Sequence, residues 1–206
     1  MQVNKQIRYV AVGDSYTVGE GVGRDESWPA LLTADLQKNN IPADLIANIA
    51  KTGWLTEHVI ELELPLFEKY GADFATLLIG ANDWVQEVSA EKFANNFQKI
   101  LDKMQSSMAD PKKIILLTIP DFSVTQVGQI FGTGRNIVQG ILEFNEIIIR
   151  EAQMRSLPLV DVFPLSSGMK DNPELVALDG LHPSGKEYAL WEKEIFPVAL
   201  KLLTEI

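Results

Sequence analysis

Apolar positions along the chain form two kinds of run. Short, nearly continuous ones occur at Ile7 to Val12, Asp44 to Ile49, Phe74 to Ile79, Lys113 to Ile119 and Leu159 to Phe163. Each has the length of a strand and is followed by a longer segment whose apolar residues recur at helical spacing. The helical segments are Trp28 to Lys38, Thr56 to Glu63, Glu91 to Met108, Asn136 to Arg155 and Gly185 to Leu203. Pro65 and Pro197 are expected to end or kink theirs. Ser27 and Ser89 stand where N-caps belong, and Ser184-Gly-Lys-Glu187 has capping-box spacing. Strands alternating with helices predict an α/β fold: a three-layer α/β/α sandwich on a five-stranded parallel sheet, with its site in the loops at the carboxyl ends of the strands. The one long irregular segment, Asp121 to Arg135, mixes glycines with Phe122, Ile130 and Phe131. Connections of that length are often functional, and this one is expected either to act as an apolar lid or to pack onto the sheet.

Composition narrows the function more than the fold. The 206 residues, 46% hydrophobic and 22% charged, suit one globular domain over 1–206. A net charge of −10 without a basic cluster disfavours nucleic acid and anionic membrane surfaces as partners. The amino-terminal Met-Gln-Val-Asn-Lys-Gln-Ile-Arg has no apolar signal core, and no stretch is long enough to span a bilayer, so the expectation is a cytoplasmic, soluble chain. The absence of cysteine excludes thiolate catalysis and thiolate metal sites.

Four of the expected strand-end loops carry chemistry. The first strand runs into Gly13-Asp14-Ser15, a turn that also delivers a hydroxyl to the rim of the sheet. Of the two histidines, His58 reads as a solvated or capping side chain near a helix start. His182, in Asp179-Gly-Leu-His182-Pro-Ser, follows an acid by three residues, close enough for the carboxylate to hold one ring nitrogen and free the other as a base. Alone, that pair reads equally well as a capped turn. Asn82, in Gly80-Ala-Asn82-Asp83-Trp84, offers a side-chain N–H to a developing oxyanion, although Asn-Asp is also a common turn dipeptide. Gly53, before a helix, offers an unobstructed backbone N–H and is otherwise a turn glycine.

These blocks, in this order, resemble the SGNH hydrolases, also called GDSL esterases and lipases. The match rests on Gly13-Asp14-Ser15, Gly53, Gly80-Ala-Asn82-Asp83 and Asp179-Gly-Leu-His182, and spans residues 13 to 185. It departs at Tyr16, where the family name implies Leu, and at Ala50, where many members have Gly. The resemblance implies a flavodoxin-like α/β/α sandwich and hydrolysis of an ester or similar acyl bond with no metal or cofactor. Ser15 is then the nucleophile, His182 the base and Asp179 its orienting acid, with an oxyanion hole from the Ser15 and Gly53 N–H groups and the Asn82 amide. Asp14 reads as a loop-anchoring acid, because a carboxylate beside the oxyanion would oppose catalysis. Tyr16, Trp54, Trp84, Phe122 and Phe131 are the candidate substrate-pocket residues.

The rival readings fit less well. A phosphate-binding loop needs a Lys-Ser/Thr or Gly-x-Gly-x-x-Gly pattern, which the glycines after Gly13 do not make. An ordinary α/β-hydrolase needs a Gly-x-Ser-x-Gly elbow, and for a metal hydrolase two widely separated histidines without His-Glu-x-x-His offer no ligand set. A catalytically silent carbohydrate or lipid binder on the same fold is the remaining alternative. The expected substrates are small-molecule esters, whether short-chain acyl esters, acetylated sugars or lysophospholipids.

Overall fold

The computed structural model describes residues 6–205, so most of the amino-terminal segment in which the sequence lacks a signal core lies outside the described residues. Five parallel strands, β1 (Ile7–Gly13), β2 (Ala43–Asn48), β3 (Phe74–Leu78), β4 (Ile114–Leu117) and β5 (Leu159–Val160), form one sheet in the order β2-β1-β3-β4-β5. The continuous apolar runs explain which strands are central. Every residue of β3 and β4 is buried, as is β1 from Tyr9 onward, whereas edge strand β2 is mostly half-buried. Strands covered on both faces by helices need that pattern.

Helices α2 (Trp28–Lys38) and α9 (Gly185–Thr204) pack together, and α4 (Leu64–Tyr70), α6 (Ala90–Ser107) and α7 (Ile137–Arg155) form a second packed set. Fully buried Trp28, Leu32 and Trp191 belong to the first set, and Phe67, Phe93, Phe97 and Phe144 to the second. Ser89 caps α6 by accepting from Lys92 N at 3.2 Å, and Asn136 caps α7 by accepting from Gln139 N at 3.1 Å. Half of the expected capping box at α9 forms. Ser184 Oγ accepts from Glu187 N, but the Glu187 carboxylate turns inward to take Trp191 Nε1 at 2.8 Å. Ser27 precedes α2 without capping it, since its hydroxyl donates to Arg24 O at 2.8 Å.

Neither proline ends its helix. The helical run that opens with α3 (Thr56–His58) passes through a π-helical segment, Val59–Glu63, into α4. Leu64 N bonds Val59 O in a widened turn, and the helical run continues through Pro65 in α4. Pro197 lies inside α9, which continues to Thr204. Three short helices that the hydrophobic pattern does not signal, α1 (Ser15–Val18), α5 (Ala81–Val85) and α8 (Phe163–Ser166), sit directly after β1, β3 and β5. The fifth apolar run is therefore strand only at Leu159–Val160, and Phe163 starts a helix.

The strand order reverses between β1 and β3, which are neighbours although β2 intervenes in sequence. Gly13 pairs with Leu78, so the loops leaving these two strands emerge side by side at the switch point, where an open α/β sheet keeps its crevice.

Candidate active site

Gly13 makes the approach of β1 to β3 possible. At φ +152° it has a backbone that L side chains rarely adopt, and a Cβ there would stand 2.1 Å from Leu78 O and 2.5 Å from Thr17 Oγ1. The chain turns at once into α1. Asp14 is its N-cap, accepting from Tyr16 N at 3.0 Å, and Ser15 is its first residue. A first-turn amide has no acceptor inside its own helix, so the Ser15 N–H is available to a ligand.

Ser15 Oγ lies 2.9 Å from His182 Nε2, and His182 Nδ1 lies 2.6 Å from Asp179 Oδ2. The other Asp179 oxygen accepts from the backbone N–H groups of Leu181 and His182, both at 2.9 Å. Burial alone would raise the Asp179 pKa. The Leu181 N–H, the His182 ring and the His182 N–H outweigh it, and the net direction is down, toward a carboxylate that holds the imidazole. The loop is itself braced: Ala177 N donates to His182 O at 2.7 Å and Ser184 N to Leu175 O at 2.7 Å. Ser15 and His182 are both buried, and the Tyr16 and His182 rings meet with centroids 5.2 Å apart.

Two further groups face this relay. Gly53, at φ +80° in the turn closed by Trp54 N donating to Lys51 O, is exposed and has open space where a Cβ would be. Asn82, in α5, donates its side-chain N–H to Trp54 O at 3.0 Å, which ties the amide to the Gly53 turn. A cleft of about 210 Å³ brings Ser15, His182, Gly53 and Asn82 together with Tyr16, Phe122 and Phe131.

Trp54 and Trp84 lie outside the cleft lining. The Trp54 ring stacks on His58 at 5.9 Å, leaving its carbonyl as its contribution to the site. Trp84 is buried beside Phe122, with the Arg135 guanidinium 4.1 Å from its ring centroid. His58 caps its own helix, accepting from Leu55 N at 3.0 Å. The cleft also uses Thr52, Ala81, Val85 and Leu181, which sequence reasoning missed. Val85 is three residues after Asn82, so recognising α5 as a helix would have put both on one face.

Three buried acids, Asp14, Glu63 and Asp83, lie near one another beside the β1 end. Burial pushes the Asp14 carboxyl up to about 8 against the opposing Tyr16 N–H, and nearby Asp83 adds to the rise. Burial pushes Glu63 up to about 9, opposed by the Gly13 N–H that it accepts at 2.9 Å, with Asp14 adding to the rise. Asp83 is raised chiefly by burial, while its bonds from Thr56 act the other way. Burial therefore favours the neutral form of both Asp14 and Glu63 and opposes a negative charge beside the site. Among the described residues, no group of three or more His, Cys, Asp or Glu side chains is placed to hold a metal ion, and no helix is long and apolar enough to cross a membrane.

The family model described as the GDSL-like lipase/acylhydrolase family matches residues 11–190. No curated protein matches the sequence. Among solved structures, TesA superposes with a TM-score of 0.76 at 21% identity, covering 95% of this chain and 99% of that one. The psychrotrophic esterase EstA from Pseudoalteromonas sp., in a form inhibited by monoethylphosphonate, gives 0.73 at 19% identity over 97% and 100% of the two chains. Axe2, an acetylxylan esterase from Geobacillus stearothermophilus, gives 0.72 at 15% identity over 100% and 98%. At these identities the likeness is one of fold.

Proposed function

The chain belongs to the GDSL-like lipase/acylhydrolase family and is a carboxylic ester hydrolase, and from that premise we propose that it cleaves short-chain acyl esters through Ser15, His182 and Asp179. The observation that carries the reading is the unbroken hydrogen-bonded relay from Asp179 Oδ2 through the imidazole to Ser15 Oγ.

Ser15 Oγ attacks the ester carbonyl carbon as its proton passes to His182 Nε2, and Asp179 stabilises the imidazolium through Nδ1. The tetrahedral oxyanion is held by the Ser15 N–H, the Gly53 N–H and the second N–H of the Asn82 amide, whose first N–H is taken by Trp54 O. When the intermediate collapses, His182 Nε2 returns the proton to the departing alkoxide. Water then enters on the acyl-enzyme by the same steps in reverse, activated by the same nitrogen.

The size of the cleft supports the short-acyl reading. About 210 Å³ walled by Tyr16, Val85, Phe122, Phe131 and Leu181 suits an apolar group of a few carbons. A p-nitrophenyl ester series from acetate upward, with Ser15→Ala as control and a serine-directed phosphonate as label, tests the reading. Turnover highest for the shortest esters, absent in the control, with one phosphonate on Ser15, is expected. A phosphonate on another residue would move the nucleophile, and a flat or rising length profile would remove the short-acyl assignment.

A further inference from the structure

Arg135 ends the long Asp121-to-Arg135 segment and does not line the cleft, yet its guanidinium joins two residues that do. Nη2 donates to Val85 O at 3.1 Å and to Phe131 O at 3.3 Å. Val85 belongs to α5, the helix of Asn82, and Phe131 to the long loop, and both residues line the cleft. Nη1 donates to Trp84 O at 2.8 Å and Nε to Gly132 O at 3.3 Å, so the side chain bonds two carbonyls of α5 and two of the loop. The Trp84 indole beneath the guanidinium is itself held fast, because a Cβ on Gly140 of α7 would stand 1.7 Å from its Nε1. The loop is thus docked against α5 through one cation on a fixed aromatic platform.

We propose that Arg135 is the positioning residue that sets acyl-group preference, because a single guanidinium nitrogen bonded to the carbonyls of Val85 and Phe131 fixes the separation of the two cleft walls. The proposal rests on the ester-hydrolase reading and deepens it. A planar fork with five donors matches several diverging carbonyls at once, whereas a lysine ammonium has no such fork and reaches fewer of them from its flexible stem. With four of its five donors engaged by carbonyls, the guanidinium has no paired fork left to clamp an anionic substrate. It shapes an apolar wall and leaves the charge of the site to His182 and Asp179.

The test compares wild type with Arg135→Lys and Arg135→Ala on p-nitrophenyl acetate, butyrate and hexanoate, recording kcat and KM separately. For Arg135→Ala the acetate KM rises about tenfold while kcat stays within about threefold, since the wall binds the acyl group but takes no part in proton transfer. Hexanoate is hydrolysed at least as well as by wild type, so the preference for acetate falls, and Arg135→Lys falls between the two. In a Phe131→Ala background the same substitution produces little additional shift, because Arg135 acts through that wall. Phosphonate labelling of Ser15 separates the two layers of argument: no label and no turnover in wild type would sink the hydrolase reading. Labelled, active variants with an unchanged length profile would overturn the role of Arg135 alone, even if their Tm fell. If Arg135→Ala does not fold, Arg135→Lys decides, and a wild-type profile from it overturns the proposal.

Discussion

Thr56 Oγ1 donates to Asp83 Oδ1 across 2.5 Å, and the Thr56 N–H donates to the same carboxylate at 3.0 and 3.3 Å. Asn96 Nδ2 completes the chain, donating to Thr56 Oγ1 at 3.0 Å, and all three residues are buried. Consecutive residues of α5 therefore hold the chain that leaves the Gly53 turn: Asn82 holds Trp54 O, and Asp83 holds the start of α3. Removing this anchor leaves the Thr56 N–H and Oγ1–H without their acceptor, at about 1–3 kcal/mol per group. Asp83→Ala is expected to lower both Tm and kcat, the latter by about tenfold or more, because the proposed oxyanion donors, Gly53 N–H and the Asn82 amide, lose their fixed spacing. Asp83→Asn, which keeps one acceptor, recovers part of kcat. A lower Tm with unchanged kcat would make Asp83 structural only.

Asn82→Ala removes one of the proposed oxyanion donors and releases the Trp54 carbonyl. Its kcat is expected to fall by about 10²- to 10³-fold with little change in KM, the signature of an interaction made mainly in the transition state. Steady-state kinetics on a short p-nitrophenyl ester check this, and a pure KM effect would transfer Asn82 to substrate binding.

Asp179→Asn keeps an oxygen for the Leu181 and His182 amides but turns an NH₂ toward the imidazole, favouring the wrong tautomer. A loss of about 10³- to 10⁴-fold in kcat is expected, as for other triads of this type. Retention of wild-type turnover would exclude Asp179 as the orienting acid.

Asp14 and Glu63 make stability depend on pH. Their folded pKa values, about 8 and about 9, lie above the reference values of 3.8 and 4.5, so the folded state binds the extra protons. Their contribution is full below the reference values and is lost progressively as pH rises through the folded ones. Urea midpoints are therefore expected to fall between pH 5.5 and pH 9, and to fall less in Glu63→Gln, which still offers an oxygen to Gly13 N. A wild-type midpoint that stays level or rises over that window would contradict the neutral state of the two acids.

Phe122 and Phe131 line the same cleft but differ in burial. Phe122, 2% exposed and against Trp84, is a core side chain as well as a wall. Phe122→Ala is expected to cost about 3–5 kcal/mol in denaturant unfolding, the range for a buried aromatic. Phe131→Ala, at a half-buried position, is expected to change acyl preference with little loss of stability. Equal effects of the two on stability would mean that the loop is packing throughout.

The sequence alone determined the parts of this protein whose physics is local. Buried parallel strands need continuous apolar runs, so β1, β3 and β4 were legible within a few residues. Asp179 and His182 were legible because three residues of separation in a turn suffice to pair a carboxylate with an imidazole, and Ser15 because it stands at the end of a strand. The tertiary structure decided what depends on closing long loops. Which aromatics reach the cleft could not be read from composition: Trp54 turned to His58 and Trp84 to Arg135, because each indole found a partner brought near only by packing. The five-residue α5 is too short to print a period, and the π-turn before Pro65, through which the helix continues, has no signature in the hydrophobic pattern. Arg135 carried no signal at all. Its partners are carbonyls, which every residue possesses, so only the docking of the loop against α5 could select Trp84, Val85, Phe131 and Gly132 from all the others.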